Sequence, residues 1–585
     1  MPAGNAIDPK KQVPDKRKPN VSSSRESVET FVFVFLFFLV LGVEAEGFVI
    51  PTGSMAPTLM GRHKEVACPE CGFVFAVNAD GEIGKPDESR PEGRWVEAGT
   101  CVNCRYQARI GDQPNFQGDR IYVMKTPLNL PFLSRVAQAT LKRWDVAVFK
   151  LPEEPEVRYI KRLVGMPDEI VRILRGDIWT RPRSANDEPF RRALRPLKHQ
   201  EAMQIMVFDD AHRAKALSTN PEWLRWLPRQ DGGWANVPRD THVYQAKVSE
   251  DWNELRYRHV VPDPAQWSAI SRNQELANPP RRTLITDFYS YNTEVTADSL
   301  DFPESSRKAW SQANWVGDLT LRFSLDVRQK KGAFRVELVK AGIANRCEID
   351  LASDSVTIWR GAAKIAGPQP AGINGTGRHS ISFANVDDRL TIKIDGRLPF
   401  GEGVSYDPGE EIAPNAADLD PAGVASRGAD VAVSGLVLTR DIYYTHDPAH
   451  ADLPHFDMQY LYRSDPVAVF DWLADPSHFS DFAEIPPKDF EIAPGRYMML
   501  GDNSPWSRDG RDWNRNDQID SKLRTASQGW DDSGRASWEV PEALLIGKAF
   551  CVYWPHLTPF GPKIPFGRDI RIPARPSVEK MRWIR

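Results

Sequence analysis

The sequence predicts a mainly β protein: a β core with an N-terminal transmembrane helix, a small cysteine-bearing insertion and a β-sandwich (jelly-roll) insertion. Three observations carry this reading. Apolar residues recur at every second position through much of 285–445, the period of strands with one buried face. An unbroken apolar run of 13 residues occupies 31–43. Two CxxC pairs, Cys68/Cys71 and Cys101/Cys104, are separated by 29 residues. At 585 residues the chain has room for about four structural units. Lys+Arg 75 against Asp+Glu 79 leaves a formal charge of −4, which argues against a chain built to wrap nucleic acid. With 41% hydrophobic and 10% aromatic residues it is not mostly disordered, and six cysteines are too few for a disulfide-dense scaffold.

Taken in order, residues 1–27 are polar and read as a disordered cytoplasmic tail. The apolar run itself spans only about 20 Å as a helix, so the expected anchor extends over 28–46. Lys10, Lys11, Lys16, Arg17, Lys18 and Arg25 precede the run, and no Lys or Arg follows it until Arg62. The positive-inside rule then keeps the N-terminus cytoplasmic and sends the rest across the cytoplasmic (inner) membrane in a single pass. A cleaved signal peptide is the rival, with small residues near 43–45. Both readings place the bulk of the chain on the extracytoplasmic side.

Residues 47–183 alternate short β-like runs with turns and hold an insertion at 62–112. The stretch 184–284 reads as a connecting insertion. In 285–445, Leu319 to Val327, Phe334 to Leu338, Val356 with Ile358, and Leu390 to Ile394 before an Asp395-Gly396 turn make four strands of a sandwich. Residues 401–428, rich in Gly, Pro and Asp, read as a long loop. A connector with a short helix near 466–473 occupies 446–489, strands return in 490–560, and 561–585 is a basic tail. Cys347 and Cys551 read as small buried hydrophobes.

Three segments carry chemistry. In FVIPTGSMAPTL, residues 48–59, proline and glycine can present the Ser54 hydroxyl with little crowding; taken alone, the segment reads as a membrane-exit turn whose serine bonds its own backbone. In YIKRLVGMPDE, residues 159–169, Lys161 sits in an apolar run, where a lysine either snorkels to water or is buried and neutral. An unperturbed lysine is neutral in only about one molecule in 2,500 at pH 7, and lowering its pKa by ~3 costs roughly 4 kcal/mol. A lysine so neutralised can take a proton from a serine hydroxyl. In LGDNSPWSRDGR, residues 500–511, a Gly-Asp-Asn turn precedes Ser507, Asp509 and Arg511 at spacing two, which a structural ion pair would also explain. His63, in a charged stretch, reads as surface, and none of the 11 histidines falls inside these segments, so a Ser-His-Asp triad is disfavoured.

Together the three segments, in this order, resemble the type I signal peptidases of bacteria, which use a Ser/Lys dyad. VPEALLIGKAFCVYWP, residues 540–555, is similar to the family's last strands. The resemblance implies a signal-peptidase-type β catalytic core. It makes Ser54 the nucleophile and Lys161 the general base, with the Ser54 N–H and the Thr52 hydroxyl forming an oxyanion hole. Ser507 matches the residue that orients the lysine, and Asp509 the aspartate that pairs with arginine, here Arg511 and also Arg162. No cofactor is implied for catalysis, and the partners are preprotein signal peptides and membrane lipid, not nucleic acid. Substrate would add as a strand beside the stretches preceding Ser54 and Lys161. Ser504-Pro505-Trp506, Gly510 and Asp168-Glu169 depart from the family pattern.

Each CxxC knuckle resembles a zinc ribbon. Cys68, Cys71, Cys101 and Cys104 suit a structural Zn²⁺, and an oxidising compartment makes disulfides the alternative. Through residues 377–383 and 388–398, the sandwich loosely resembles concanavalin- and laminin-G-like jelly rolls, modules that bind sugars or proteins. The expected function is therefore a membrane-bound serine endopeptidase that removes signal peptides through an acyl-enzyme. The alternative is an anchored carbohydrate- or protein-binding protein on an inactive peptidase-like scaffold.

Overall fold

The computed structural model describes residues 28, 30–32, 45–82, 95–111, 113, 115–125, 141–152, 154–185, 187–237, 240–296, 313–410, 412–446, 452, 468–513, 538–554, 557–559, 574–576 and 581–584. Strands dominate it. The expected anchor, 28–46, falls mostly outside the described residues; 28 and 30–32 are helical, whereas Ala45 and Glu46, assigned to it, already belong to a strand. Among the described residues no helix is long and apolar enough to cross a membrane.

The first sheet is antiparallel and gathers both ends of the chain. Its order is Ala45–Val49, Arg120–Lys125, Leu545–Trp554, Val146–Lys150, Arg158–Gly165, Arg496–Leu500 and Glu539–Pro541. Val146 to Phe149 is apolar throughout because both faces of that strand are covered. Val146 and Val148 pack with Ile50, Met55 and Ile121, while Ala147 and Phe149 pack with Leu163, Met499 and Trp513. Part of the expected tail is also structured: Arg582–Trp583 pairs with Leu545–Trp554, and Arg582 donates 2.8 Å to the Thr58 carbonyl. A second sheet orders Arg191–Arg192, Asp177–Pro182, Glu169–Leu174 and Lys488–Glu491.

Two larger antiparallel sheets enclose one apolar core, built from residues such as Leu321, Phe323, Phe334, Ile358, Phe383 and Ile392. The four strands read from alternation are present as Leu319–Val327, Ala333–Lys340, Ser355–Arg360 and Arg389–Ile394. Asp395 and Gly396 turn the chain with φ of 48° and 78°.

Two expectations fail here. The sandwich does not begin at 285, because Ile205–Asp209, Trp226–Pro228, Trp234–Val237, Asp240–Ala246 and Asn253–Tyr257 all join its sheets. Charged cross-strand pairs blur the pattern there: Arg335 donates to Glu254 at 3.0 Å and Arg256 to Glu337. Nor is 401–428 one loop, since Ala422–Arg427 is a central strand. Its buried positions include small Ala422, Ala425 and Ser426, which fit between neighbouring strands without an apolar signature. The short helix near 466–473 is found as Ala468–Ala474.

The cysteine insertion consists of the hairpin His63–Ala67 with Val74–Asn78 and the paired strands Val96–Thr100 and Gln107–Arg109, to which Val295–Thr296 from beyond the insertion adds a third strand. His63 is not on the surface. It is 1% exposed, with Nδ1 2.7 Å from the Gly61 carbonyl and its ring against Phe116. The charges around it are satisfied internally, as Lys64 pairs with Glu82 at 2.7 Å. Cys347 is buried and Cys551 only half-buried.

Candidate active site

Ser54 lies in the one-turn 3₁₀ helix Gly53–Met55, whose three residues are buried. Thr52, in extended geometry, leads into that turn, and its exposed side chain makes no capping hydrogen bond. Pro51 and Ile50 are tied back by Arg62 N to the Pro51 carbonyl at 3.2 Å and Ile50 N to the Asp119 carbonyl at 2.9 Å. The serine hydroxyl is thus carried by a short, braced turn beside the first sheet.

Lys161 sits in the strand Arg158–Gly165, opposite Ala147. Its Nζ donates to Ser54 Oγ at 2.5 Å. Burial brings the ammonium down from 10.5 to about 8; the charges of Asp509 and Asp502 oppose this, and that of Arg511 adds to it. At that value about one lysine in ten is neutral at pH 7.

Asp509 and Arg511 form a buried two-pronged pair, with Arg511 Nε to Oδ1 at 2.8 Å and Nη2 to Oδ2 at 2.7 Å. For Asp509, burial would raise the pKa, but the charge and hydrogen bonds of Arg511 and the Gly501 N–H hold it below its ordinary value. Arg511 also donates to the Thr445 carbonyl at 2.7 Å and to Ser504 Oγ at 2.8 Å. Ser504, an unusual residue for this loop, therefore serves as an acceptor for the arginine.

Arg162 does not share Asp509. Neighbours on a strand face opposite ways, and Arg162 instead grips Asp502, Nε to Oδ1 at 2.7 Å and Nη2 to Oδ2 at 2.6 Å. It also reaches Thr58 Oγ1 at 3.0 Å, tying the serine turn to the strand that carries the lysine. Ser507 does not bond Lys161 either; its hydroxyl is buried and has no hydrogen-bond partner among the described residues. It lies close by, because a Cβ on Gly501 would stand 2.1 Å from Ser507 Oγ and 2.5 Å from the Ser54 carbonyl.

The remaining departures have local reasons. Asp168 has φ of 63°, the left-handed geometry a glycine usually supplies and an aspartate accepts. Glu169 receives Arg143 at 2.6 Å on each oxygen. At Gly510 a Cβ would meet the Trp538 carbonyl at 2.7 Å.

With that geometry in view, the family comparison falls on the lysine's half of the site. Residues 108–220 match the family model described as signal peptidase, peptidase S26. This signal-peptidase segment includes Lys161 but neither Ser54 nor the 500–511 loop, which the fold brings to it. No curated protein matches the chain. Among solved structures, a carbohydrate-binding module CBM66 from Bacillus subtilis is 12% identical, covering 36% of this chain and 94% of its own, with a TM-score of 0.21. The Caenorhabditis elegans galectin LEC-6 is 12% identical, covering 21% and 83%, with a TM-score of 0.17. Likenesses this low bear on neither fold nor ligand.

The four cysteines of the insertion converge. Cys68 and Cys104 sulfurs lie 3.6 Å apart and those of Cys71 and Cys101 3.7 Å apart, all four within 4.8 Å of one another. Four sulfurs held about 2.3 Å from a tetrahedral Zn²⁺ would lie about 3.8 Å apart, whereas a disulfide needs about 2.05 Å. The donor set fits a structural metal and leaves no open position on it.

Sequence reasoning missed Asn292 and Tyr291 beside the serine turn and the Asp502 and Thr445 partners of the two arginines. Asp502 at least stands in the Gly-Asp-Asn turn. Asn292 carries no local signal.

Proposed function

We propose that this chain is a membrane-bound serine endopeptidase of signal peptidase I type, removing signal peptides from exported preproteins through a Ser54/Lys161 dyad. The observation that carries the reading is the 2.5 Å contact between Lys161 Nζ and Ser54 Oγ, with the lysine buried and its pKa lowered to about 8. Neutral Lys161 takes the Ser54 proton as Oγ attacks the scissile carbonyl. The oxyanion that forms is received by the Ser54 N–H and the Thr52 hydroxyl. The protonated lysine then gives its proton to the departing amine, leaving an ester on Ser54. Neutral again, it takes a proton from the water that hydrolyses the ester, and returns it to Oγ.

Asp509 and Arg511 hold the loop beneath this site. The anchor keeps the N-terminus in the cytoplasm and the dyad on the extracytoplasmic side of the inner membrane, a placement supported by the basic flank before residue 31. The four cysteines hold a structural Zn²⁺ that cross-links the insertion and takes no part in the reaction. A glycan or a protein is the ligand class proposed for the sandwich.

The test is cleavage of a model preprotein by the full chain in detergent micelles, compared with Ser54→Ala. Cleavage should disappear. Undiminished turnover in the variant would favour the anchored binding protein with a peptidase-like scaffold.

A further inference from the structure

The two carbonyls that bracket the Ser54 backbone are both held by Asn503. Its side-chain Nδ2 donates to the Gly53 carbonyl at 3.2 Å, and its backbone N–H donates to the Ser54 carbonyl at 3.1 Å. A side-chain amide can rotate, so something must fix which edge faces Gly53. Asn292 does this: its Nδ2 donates to Asn503 Oδ1 at 2.7 Å, and Asn503 Nδ2 donates to Asn292 Oδ1 at 2.8 Å. The reciprocal pair occupies the Asn503 oxygen and one of its two amide hydrogens, leaving the other for Gly53. Both residues are buried, at 3% and 4% exposure, where the exchange of either bond for water is costly.

Asn292 ends the 3₁₀ turn Ser290–Asn292. Tyr291 in that turn presses on the serine turn directly. A Cβ on Gly53 would stand 2.2 Å from the Tyr291 ring, and its hydroxyl donates to the Arg62 carbonyl at 3.2 Å. The other side of the turn is bolted to the cysteine module. Ser290 Oγ donates to the Thr100 carbonyl at 2.7 Å, Thr100 N donates to Thr293 Oγ1 at 2.8 Å, and Val295 pairs with Ala98. Thr100 immediately precedes Cys101. A continuous set of contacts, part-buried at Thr100 and Thr293 and buried at Asn292 and Asn503, therefore runs from the cysteine module to the nucleophile's backbone.

We infer that Asn292 is a positioning residue for the Ser54 turn, acting through Asn503, and that the four-cysteine module holds Asn292 in place. The inference rests on the Ser54/Lys161 reading. A displacement of about 1 Å at a reacting group can cost about 100-fold in rate, so the effect belongs in kcat.

The experiment uses the full chain in detergent micelles with a model preprotein, comparing wild type, Asn292→Ala, Asn503→Ala and the double variant. Each single change should lower kcat about 10- to 100-fold with KM within about twofold. The double variant should be no slower than the worse single one, because both remove one coupled pair. Losses that multiply, a change confined to KM, or an unchanged kcat overturn the inference. If Asn292→Ala does not fold, Asn292→Ser replaces it. It buries no charge and is too short to make the reciprocal pair, and should still lower kcat about 10-fold or more with KM within about twofold; an unchanged kcat overturns the pair.

For the module's part, Cys101→Ser should speed amide hydrogen exchange in 290–296 and 501–504 while leaving the strand Leu319–Val327 unchanged. Unaltered exchange at 501–504 overturns that part. Ser54→Ala in the same assay separates the two failures. If it still turns over, the dyad reading fails; if it is inactive while Asn292→Ala matches wild type, only the positioning role fails.

Discussion

Lys161 Nζ and Ser54 Oγ, 107 residues apart in the chain, meet at 2.5 Å where the two residues are only 3% and 9% exposed. A charged ammonium is disfavoured in that setting, and its loss of charge creates the base a serine needs. Replacing Lys161 with Met should lower preprotein cleavage at least about 1,000-fold, the order expected when a general base is removed. The same substitution should stabilise the fold. Lowering a lysine from 10.5 to about 8 corresponds to about 3 kcal/mol against the charged form. Thermal melts at pH 7 should show Lys161→Met melting above wild type; equal or lower melting with full cleavage would discredit a strained, functional lysine.

The pH dependence has a definite sign. The base is active when unprotonated, so kcat/KM should rise tenfold per pH step below about 8 and level off above it. In stability the unfolded chain binds more protons between about 8 and 10.5, so wild-type stability should rise over that window and the advantage of Lys161→Met should shrink. A cleavage profile flat from pH 6 to 9 would count against the dyad.

Arg511 and Asp509 are each fully buried, and removing one leaves the other uncompensated. Arg511→Met should cost about 3–5 kcal/mol in urea unfolding. Because the Asp509 pKa is lowered, its contribution is present above the usual carboxylate range and is lost as pH falls through the lowered folded value. The gap between wild type and Arg511→Met should therefore narrow in acid. A gap that is constant down to acid unfolding would contradict the pair's role.

The cysteine module should contain one Zn²⁺ per chain, measured by elemental analysis on purified protein. Stripping it with a chelator should lower the melting temperature, and Cys101→Ser should reduce the metal content to a small fraction. A metal-free chain whose melting is indifferent to chelator, with sulfurs resistant to alkylation, would point to disulfides.

Much of this molecule is readable as one-dimensional pattern. The alternation of Leu319 to Val327 gives a strand because side chains on a strand face opposite sides by turns, and the Asp395-Gly396 turn follows from which residues tolerate a positive φ. The three short segments around Ser54, Lys161 and Ser507–Arg511, and the spacing of the four cysteines, stood out from residue type alone. Those are local properties, set within a few bonds of each residue. Partner choice is not local. Whether Arg162 would face Asp502 or Asp509, whether His63 would be buried, and that strands from 205 to 257 complete the sandwich depended on how distant segments pack. Asn292 is the extreme case: an asparagine with no signal in its neighbourhood reaches the serine turn only because the cysteine module and the returning chain place it there. Hydrogen bonds between buried groups are selected by the whole packed interior, and the tertiary structure alone decided them.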